Sequence, residues 1–114
     1  MFNKDLNYTY LLDFYGEILS DKRREALTLY YDEDYSLSEV SEIMQISRQG
    51  ARELIKKAEA DLLFFEEKLG LAARFKQTNE LLSEIRAQTD RMEDLPSTLK
   101  EQLKELSELL SENT

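Results

Sequence analysis

The stretch that decides the fold reads Tyr35-Ser-Leu-Ser-Glu-Val-Ser-Glu-Ile-Met-Gln-Ile-Ser-Arg-Gln-Gly-Ala-Arg-Glu-Leu-Ile-Lys-Lys-Ala58. Within it, Ser36 and Glu39 have the S-x-x-E spacing of a capping box, which predicts that a short helix begins at Leu37. The apolar residues expected on the inner side of this helix are Val40, Ile43 and Met44. The apolar period does not continue beyond them, so this helix should be short.

The break in the pattern falls at residues 45–47, which read Gln-Ile-Ser. Ser47 is a good N-cap, so a second helix is expected to begin at Arg48. Its core-facing residues recur at helical spacing and are Ala51, Leu54, Ile55 and Ala58. The small side chains of Ser41 and Ala51 would let the two helices cross closely. Two short helices joined by a tight turn are the pattern of a helix-turn-helix.

The outward side of the second predicted helix carries the candidate nucleic-acid-binding residues. These are Ser47, Arg48, Gln49, Arg52, Lys56 and Lys57. Arginine, lysine and glutamine can reach base edges and phosphates from a helix in the major groove. The backbone amides freed at the Ser47 cap could hold a phosphate. Arg23 is a further candidate for neutralising the nucleic-acid backbone, and DNA or RNA is therefore the first partner to consider.

The net charge opposes this interpretation, because a chain of formal charge −9 is repelled by phosphates as a whole. The charge is unevenly distributed, however. Residues 1–35 carry four basic and eight acidic side chains, residues 36–60 carry four of each, and residues 61–114 carry seven and twelve. Only the segment of the predicted helix-turn-helix carries no net negative charge. We therefore expect weak, salt-sensitive binding to DNA or to another anionic partner such as structured RNA.

Composition narrows the other possibilities for this chain of 114 residues. Leu, Glu, Lys, Ala and Arg dominate, which favours an all-α fold. With no cysteine and no histidine, we expect no disulfide, no metal site and no cofactor, and the lack of a phosphate loop or nucleophile motif argues against an enzyme. No apolar run could span a bilayer, and the N-terminus does not resemble a signal peptide, so a cytoplasmic protein is expected.

The flanking sequence predicts a helical domain over residues 1–70. A first helix is expected from about Leu6 to Leu19, and a second from Ser20 or Asp21 to about Tyr31. The helix that begins at Arg48 should continue to Leu69, where Gly70 offers a C-cap. That length is roughly 33 Å, about twice what reading a groove requires. The distal half must therefore pack on something. Phe64-Phe65 is expected to pack on the first helix, with one ring left for the dimer or tail interface.

Residues 71–114 predict an amphipathic helical hairpin. Apolar residues become heptad-like from Phe75, Pro96 should close this helix, and Ser97 should start another. The candidate dimer or partner interface consists of Phe75, Leu82, Ile85, Met92, Leu99, Leu103 and Leu106. Two helices by themselves would leave much of their apolar faces exposed, so a homodimer or docking on a partner is expected. Residues 111–114 should form a disordered tail.

Several of these features also have a purely structural explanation. The Arg48 face could be a solvated helix surface paired with Glu53 and Glu59 at helical spacing, on a module that docks only with proteins. The tyrosines at 30, 31 and 35 could stack on bases, but aromatic residues near a helix end favour a place in the core. Residues 32–34, Asp-Glu-Asp, lack the glycine and distal glutamate of a calcium loop, which favours a solvated acidic turn.

Three blocks of the chain carry a resemblance to a known family. They read Asp13-Phe-Tyr-Gly-Glu-Ile-Leu-Ser-Asp-Lys-Arg-Arg-Glu-Ala-Leu-Thr-Leu-Tyr-Tyr31, Tyr35-Ser-Leu-Ser-Glu-Val-Ser-Glu-Ile43 and Ile46-Ser-Arg-Gln-Gly-Ala-Arg-Glu-Leu-Ile-Lys-Lys-Ala-Glu59. Over roughly its first 70 residues the chain closely resembles the YlxM family of small bacterial proteins. Members of that family look like region 4 of sigma factors. The segment after Gly70 carries no recognisable family motif.

The resemblance implies a DNA-binding regulatory protein that takes part in the signal recognition particle protein-targeting pathway. It also implies direct contact with the particle's RNA or protein, although the family's link to this pathway rests mainly on neighbouring genes. Three hypotheses therefore stand: a DNA binder, a regulator that contacts the particle, and a structural interaction module built on the hairpin.

Overall fold

The computed structural model describes residues 6–111 of the chain. This part is all-α, with six helices and no strand, which confirms the predicted fold class. The helices are α1 (Leu6–Tyr15), α2 (Asp21–Leu27), α3 (Leu37–Met44), α4 (Arg48–Leu69), α5 (Leu71–Thr89) and α6 (Ser97–Ser111). None of the helices in residues 6–111 is both long and apolar enough to cross a membrane.

The helices group into two compact units. The first ends at Gly70 and holds α1 to α4, and the second begins at Leu71 and holds α5 and α6. Gly70 has a left-handed backbone (φ 63°), and its amide donates to the carbonyl oxygen of Glu66 at 2.9 Å. Glycine adopts that conformation without steric cost, so it ends α4 as the sequence predicts.

The first two helices are each shorter than predicted, because each finishes in a turn of different pitch. The helix expected to reach Leu19 ends at Tyr15, and a 3-10 turn follows over Gly16–Ile18. Gly16 is buried, and a methyl group added there would lie 3.3 Å from Leu12 Cδ1. This contact spans only four residues and is local, and apolar periodicity does not report the change of pitch that begins at Gly16.

A wider turn of π type, Thr28–Asp32, extends α2. The amide of Glu33 donates to the carbonyl oxygen of Thr28 at 3.0 Å, and that of Tyr35 donates to Leu29 at 3.0 Å. Tyr30, within this turn, is only 3% exposed. This aromatic residue therefore belongs to the core, as expected, rather than to a surface for stacking on bases.

Asp32 lies at the end of this turn, where a carboxylate is unfavourable. Although Asp32 is largely exposed, partial desolvation of its carboxylate raises the pKa above the usual 3.8, and repulsion from Asp13 and Glu33 adds to the shift. A raised folded-state pKa means that the charged form destabilises the fold. This penalty is present at neutral pH and disappears as the pH falls below the unfolded-state pKa.

We therefore expect Asp32→Asn to stabilise the protein at pH 7, raising the Tm by on the order of 1–2 °C because solvent screens this partly exposed group. The gain should shrink between pH 6 and pH 3, roughly the range over which carboxyl groups titrate. Thermal denaturation followed by circular dichroism across this range measures it. Glu25→Gln removes the same charge from an exposed position of α2. An equal gain from that control would show that net charge alone is responsible.

The core of the first unit lies where α4 crosses the other three helices. Its buried apolar side chains come from every helix of the unit and include Leu11, Tyr15, Ala26, Leu27, Val40, Ala51, Ile55, Ala58 and Leu62. Five of them, Tyr15, Leu27, Val40, Ile55 and Leu62, are the largest side chains that are fully buried. Helix α4 thus acts as the central helix on which the others pack.

The distal half of α4 packs against α1, another helix of the first unit. The length of α4 predicted that this half must pack on something. The Phe65 ring lies 5.9 Å from that of Tyr15 in α1, whereas Phe64 remains 54% exposed. Lys68 Nζ lies 5.7 Å from the centre of the Phe64 ring. One ring therefore joins the core and one faces outward.

The second unit differs from its predicted form at the end of α5. This helix begins at Leu71, directly after the predicted boundary at Gly70, but ends at Thr89 rather than at Pro96. The amide of Met92 donates to the carbonyl oxygen of Thr89 at 3.0 Å, which closes a tight turn. The turn is favoured because acidic residues at 93 and 94 would oppose the helix dipole, and Leu95 precedes a proline. The extent of α5 predicted from the heptads was therefore wrong.

The residues predicted as a dimer or partner interface fall into two groups in this unit. Leu82 is only 4% exposed, so it is buried in the folded chain and is not available to a partner. Phe75 and Leu103 are half-buried. The exposed members are Ile85, Met92, Leu99 and Leu106. Ser111, expected in a disordered tail, is the last residue of α6, and residues 112–114 lie outside the described part of the chain.

Candidate nucleic-acid interface

The capping box that starts α3 is formed as the sequence predicts. Ser36 Oγ accepts a hydrogen bond from the Glu39 amide at 3.1 Å, and Glu39 Oε1 accepts one from the Ser36 amide at 2.9 Å. Both backbone donors would otherwise be unsatisfied at a helix start. This reciprocal pair fixes where α3 begins, and hence where the turn before α4 must lie.

The turn between α3 and α4 occupies residues 45–47, as expected. Gln45 takes a left-handed conformation (φ 57°, ψ 45°), and the amide of Ile46 donates to the carbonyl oxygen of Ser41 at 3.0 Å. Ser47 is extended, and its Oγ accepts from the Gly50 amide at 2.9 Å. One left-handed residue and one serine cap therefore reverse the chain sharply enough to start a separate helix at Arg48.

Small residues line the crossing of α3 over α4. Ser41 is 8% exposed and Ala51 is fully buried, and side chains this small allow the two helices to pack closely. The Ser41 hydroxyl donates to the carbonyl oxygen of Ser38 at 2.7 Å, which satisfies the one polar group at this crossing. Val40 and Ile55 are also fully buried. This packing fixes the rotation of α4, and thereby which of its residues face outward.

All six predicted nucleic-acid-binding residues are exposed. Arg48, Arg52 and Lys56 follow one another at intervals of four residues, which places them along one side of α4 over a length of about 12 Å. We call these three residues the cationic stripe. Gln49 lies beside the stripe, and its Nε2 donates to Glu53 Oε1 at 3.4 Å.

Lys57 is exposed but is not part of the cationic stripe. Nine residues after Arg48, it projects about 180° away around the helix axis. Glu53 lies between Lys57 and the stripe on the exposed side. A single surface that contacts Arg48 and Arg52 would therefore reach Lys57 only at its edge.

The two halves of α4 carry opposite net charge, and their charged side chains have different contacts. Residues 48–57 contain four cations and one carboxylate, whereas residues 58–69 contain four carboxylates and one cation. Three of the distal carboxylates accept hydrogen bonds from other helices or turns. Tyr15 donates to Glu66 at 2.5 Å, Tyr31 donates to Glu59, and Arg23 donates to Asp61. Three of the four distal carboxylates are therefore engaged within the fold, although Glu59 follows Lys56 by three residues and lies on the same side of α4 as the stripe.

The pairing of Arg23 changes its predicted role. Its Nη1 lies 2.6 Å from Asp61 Oδ2, with both side chains about one-third exposed. The Asp61 carboxylate neutralises much of the Arg23 charge, which makes Arg23 a weaker candidate for a phosphate contact, and the ion pair links α2 to α4. The partners are 38 residues apart in sequence, and no local pattern could have indicated the contact.

Among residues 6–111 the carboxylates form no group able to hold a metal ion. The acidic turn at residues 32–34 is exposed. The first unit presents a cationic helix surface next to a capped helix start.

We expect two substitutions of Ser47 to distinguish its effect on folding stability from its effect on DNA binding. Ser47→Ala removes the acceptor for the Gly50 amide and should lower the free energy of unfolding by about 1 kcal/mol. Ser47→Asp keeps an acceptor and should leave stability close to that of the wild type, while its charge weakens binding to phosphates. Urea denaturation and DNA titration of both variants measure the two effects. If Ser47→Asp binds DNA as the wild type does, no phosphate approaches this helix start.

Comparison with known proteins relates the chain to a bacterial family. A family model named UPF0122, described as "Putative helix-turn-helix protein, YlxM / p13 like", matches residues 2–106. A UPF0122 protein of Thermoanaerobacter sp. (strain X514) is 51% identical over 78 residues, which cover 68% of this chain and 67% of the relative. One from Oceanobacillus iheyensis is 45% identical over 78% of this chain and 85% of the relative. One from Listeria welshimeri is 37% identical over 96% of this chain and 99% of the relative.

Proposed function

Because the chain belongs to the UPF0122 family of YlxM-like helix-turn-helix proteins, we propose that it is a DNA-binding regulatory protein that acts through the cationic stripe. The observation that carries the proposal is the placement of Arg48, Arg52 and Lys56 on the exposed side of α4 directly after the turn. A helix positioned in this way can enter the major groove by its first turns.

Each part of this surface has a chemical role in the proposed complex. Arg48 and Arg52 can donate paired hydrogen bonds to guanine or to phosphate oxygens, and Gln49 can pair with adenine. Lys56 is well suited to a phosphate contact further along the groove. The amides at the start of α4, next to Ser47, favour a phosphate through the helix dipole.

The charge of the whole chain sets the expected strength of binding. With a net charge of −9, long-range repulsion opposes approach to DNA, and only the local stripe attracts it. Three cations predict a slope of about −3 in a plot of log affinity against log salt concentration. Binding should therefore be measurable at low salt and fall steeply towards physiological salt.

A second candidate function is protein docking in the signal recognition particle pathway, as the family resemblance implies. An exposed apolar pair on the distal half of α4 favours it, because Leu63 is 47% and Phe64 54% exposed. This pair could contact the particle's GTPase while the stripe contacts its RNA. In this alternative the protein binds no specific DNA sequence.

Titration of the purified protein distinguishes these functions. Duplex DNA, the particle RNA and the particle GTPase are each tested by fluorescence anisotropy at about 50 and about 200 mM salt, a range over which phosphate contacts weaken strongly. Salt-sensitive binding to DNA supports the first proposal. Binding only to the GTPase, with little change between the two salt concentrations, contradicts it and supports docking.

We further propose that the second unit mediates homodimerisation through its exposed apolar residues. Leu81, Ile85, Leu99, Leu106 and Leu109 are between 39% and 53% exposed on α5 and α6. A second copy of this surface would complement it, since isologous contacts are the commonest in small oligomers.

Sedimentation should show a dimer that Ile85→Asp converts to a monomer. Ile85 is 46% exposed, so an aspartate there can be solvated without unfolding the hairpin. Glu84→Asp, at an exposed neighbouring position, should leave the dimer intact. A wild-type protein that sediments as a monomer at tens of micromolar contradicts the proposal.

A further inference from the structure

The second unit contains a cleft that sequence analysis did not indicate. Its lining residues come from the end of α5, the turn that follows and the first half of α6. Its volume is about 370 Å³. Arg86 comes from α5, and Lys100 and Lys104 come from α6. Met92, Leu95 and Leu103 add apolar lining. An open cleft of this volume is large enough to accept a small molecule.

The cleft gathers positive charge in a unit that is otherwise acidic. Residues 71–114 contain six cations and nine carboxylates. Three of the six cations line this one cleft, whereas Asp90 is the only carboxylate among its lining residues. Such an arrangement, on a net negative background, favours an anionic ligand over a cationic one.

A hydrogen bond within the hairpin orients Arg86. Its Nη1 donates to Ser107 Oγ of α6 at 3.0 Å. A guanidinium carries five N–H donors, so the others remain able to meet an anion. Lys100, Lys104 and Ser107 recur at helical spacing on α6, which places both lysines on the side that bears the Arg86 contact. Two helices thus supply cations to the same space.

We propose that this cleft binds a nucleotide. The phosphate would contact Arg86 and the two lysines, because arginine and lysine are the usual phosphate partners in proteins. The base would lie against the apolar side chains, and the Asp90 carboxylate could accept a hydrogen bond from a ribose hydroxyl, as acidic residues do in other nucleotide sites. The ligand could be a free mononucleotide or one nucleotide of a single-stranded RNA. The proposal is independent of DNA binding by the cationic stripe.

Calorimetric titration with AMP, adenosine and inorganic phosphate tests the chemistry of the cleft. We expect AMP to bind more tightly than either adenosine or phosphate, because only AMP engages the cations and the apolar lining together. A ten-nucleotide single-stranded RNA, titrated at the same salt concentration, distinguishes the two sources. Tighter binding of the RNA than of AMP assigns the cleft to a nucleotide within a chain, and tighter binding of AMP assigns it to the free ligand.

The decisive variant is Lys100→Gln with Lys104→Gln, which should weaken AMP binding at least about tenfold through loss of two charge-assisted contacts. Arg74→Gln with Lys76→Gln removes the same charge from exposed positions of α5 outside the cleft, and it should bind AMP as the wild type does. Circular dichroism verifies that each variant is folded, and Lys104→Arg should retain binding.

Three outcomes would overturn the proposal: no AMP binding at millimolar concentration, an equal loss in both double variants, or unchanged binding by the cleft variant. Arg48→Ala with Arg52→Ala should leave AMP binding unchanged while DNA binding is lost. The failure of one proposal is therefore distinguishable from the failure of the other.

Discussion

Replacing Arg48 and Arg52 together with alanine should weaken binding to duplex DNA by about a hundredfold or more. Each arginine contact to a base or phosphate contributes about 1–3 kcal/mol, and the two residues lie one turn apart on the exposed side of α4. The dependence of log affinity on log salt should fall by about two units of slope, because two phosphate contacts are lost. Fluorescence anisotropy over a series of salt concentrations measures both quantities.

The matched control removes two cations from another exposed helix of the same unit. Lys22→Ala with Arg24→Ala changes the net charge equally, and these residues lie on α2. We expect this control to lower DNA affinity only slightly, through the long-range field. If both double variants lose affinity equally, binding depends on general charge and the cationic stripe is not the interface. Undiminished binding by the arginine variant would also contradict the assignment.

Replacing Leu62 with alanine should lower the free energy of unfolding by about 2–5 kcal/mol. Leu62 is fully buried in the distal half of α4, where this helix packs on other helices of the first unit. The loss combines the transfer of apolar area with the cavity that remains. Since small domains are stable by only about 5–15 kcal/mol, this single change would remove a large share of the total. Urea denaturation of wild type and variant measures the difference.

Leu63 provides a control for this substitution at the next position. It is 47% exposed, and Leu63→Ala removes the same atoms from the same helix. We expect a loss below about 0.5 kcal/mol, as for surface substitutions in general. Similar losses for the two variants would mean that the distal half of α4 is not packed as described.

The local elements around the stripe were predictable from sequence, because the signals that define them act over three or four residues. The capping box at Ser36 and Glu39, the cap at Ser47 and the glycine at position 70 all function as their spacing indicates. The apolar positions of α4 similarly identified its inner side, and the exposed side followed as the complement. The stripe could therefore be named before any tertiary contact was known.

The extent of α5 was mispredicted for an equally physical reason. Its heptad pattern continues past the point where the helix stops, so Met92 was assigned to a helix and instead lies in the turn. Periodicity reports which residues are apolar, but acidic residues at a helix end and a proline after Leu95 oppose further helix. Where these signals conflict, the apolar pattern alone does not set the boundary.

The sequence by itself determined the all-α architecture, the turn at residues 45–47 and the outward side of α4, because caps, breaks and helical periodicity are local properties of the chain. Only the tertiary structure decided which charges remain available. It pairs Arg23 with Asp61, buries Leu82, and brings Arg86 to the two lysines of α6. These contacts join residues 14 to 38 positions apart or depend on how two helices pack. No spacing rule encodes them, since they arise when the folded chain places distant side chains together.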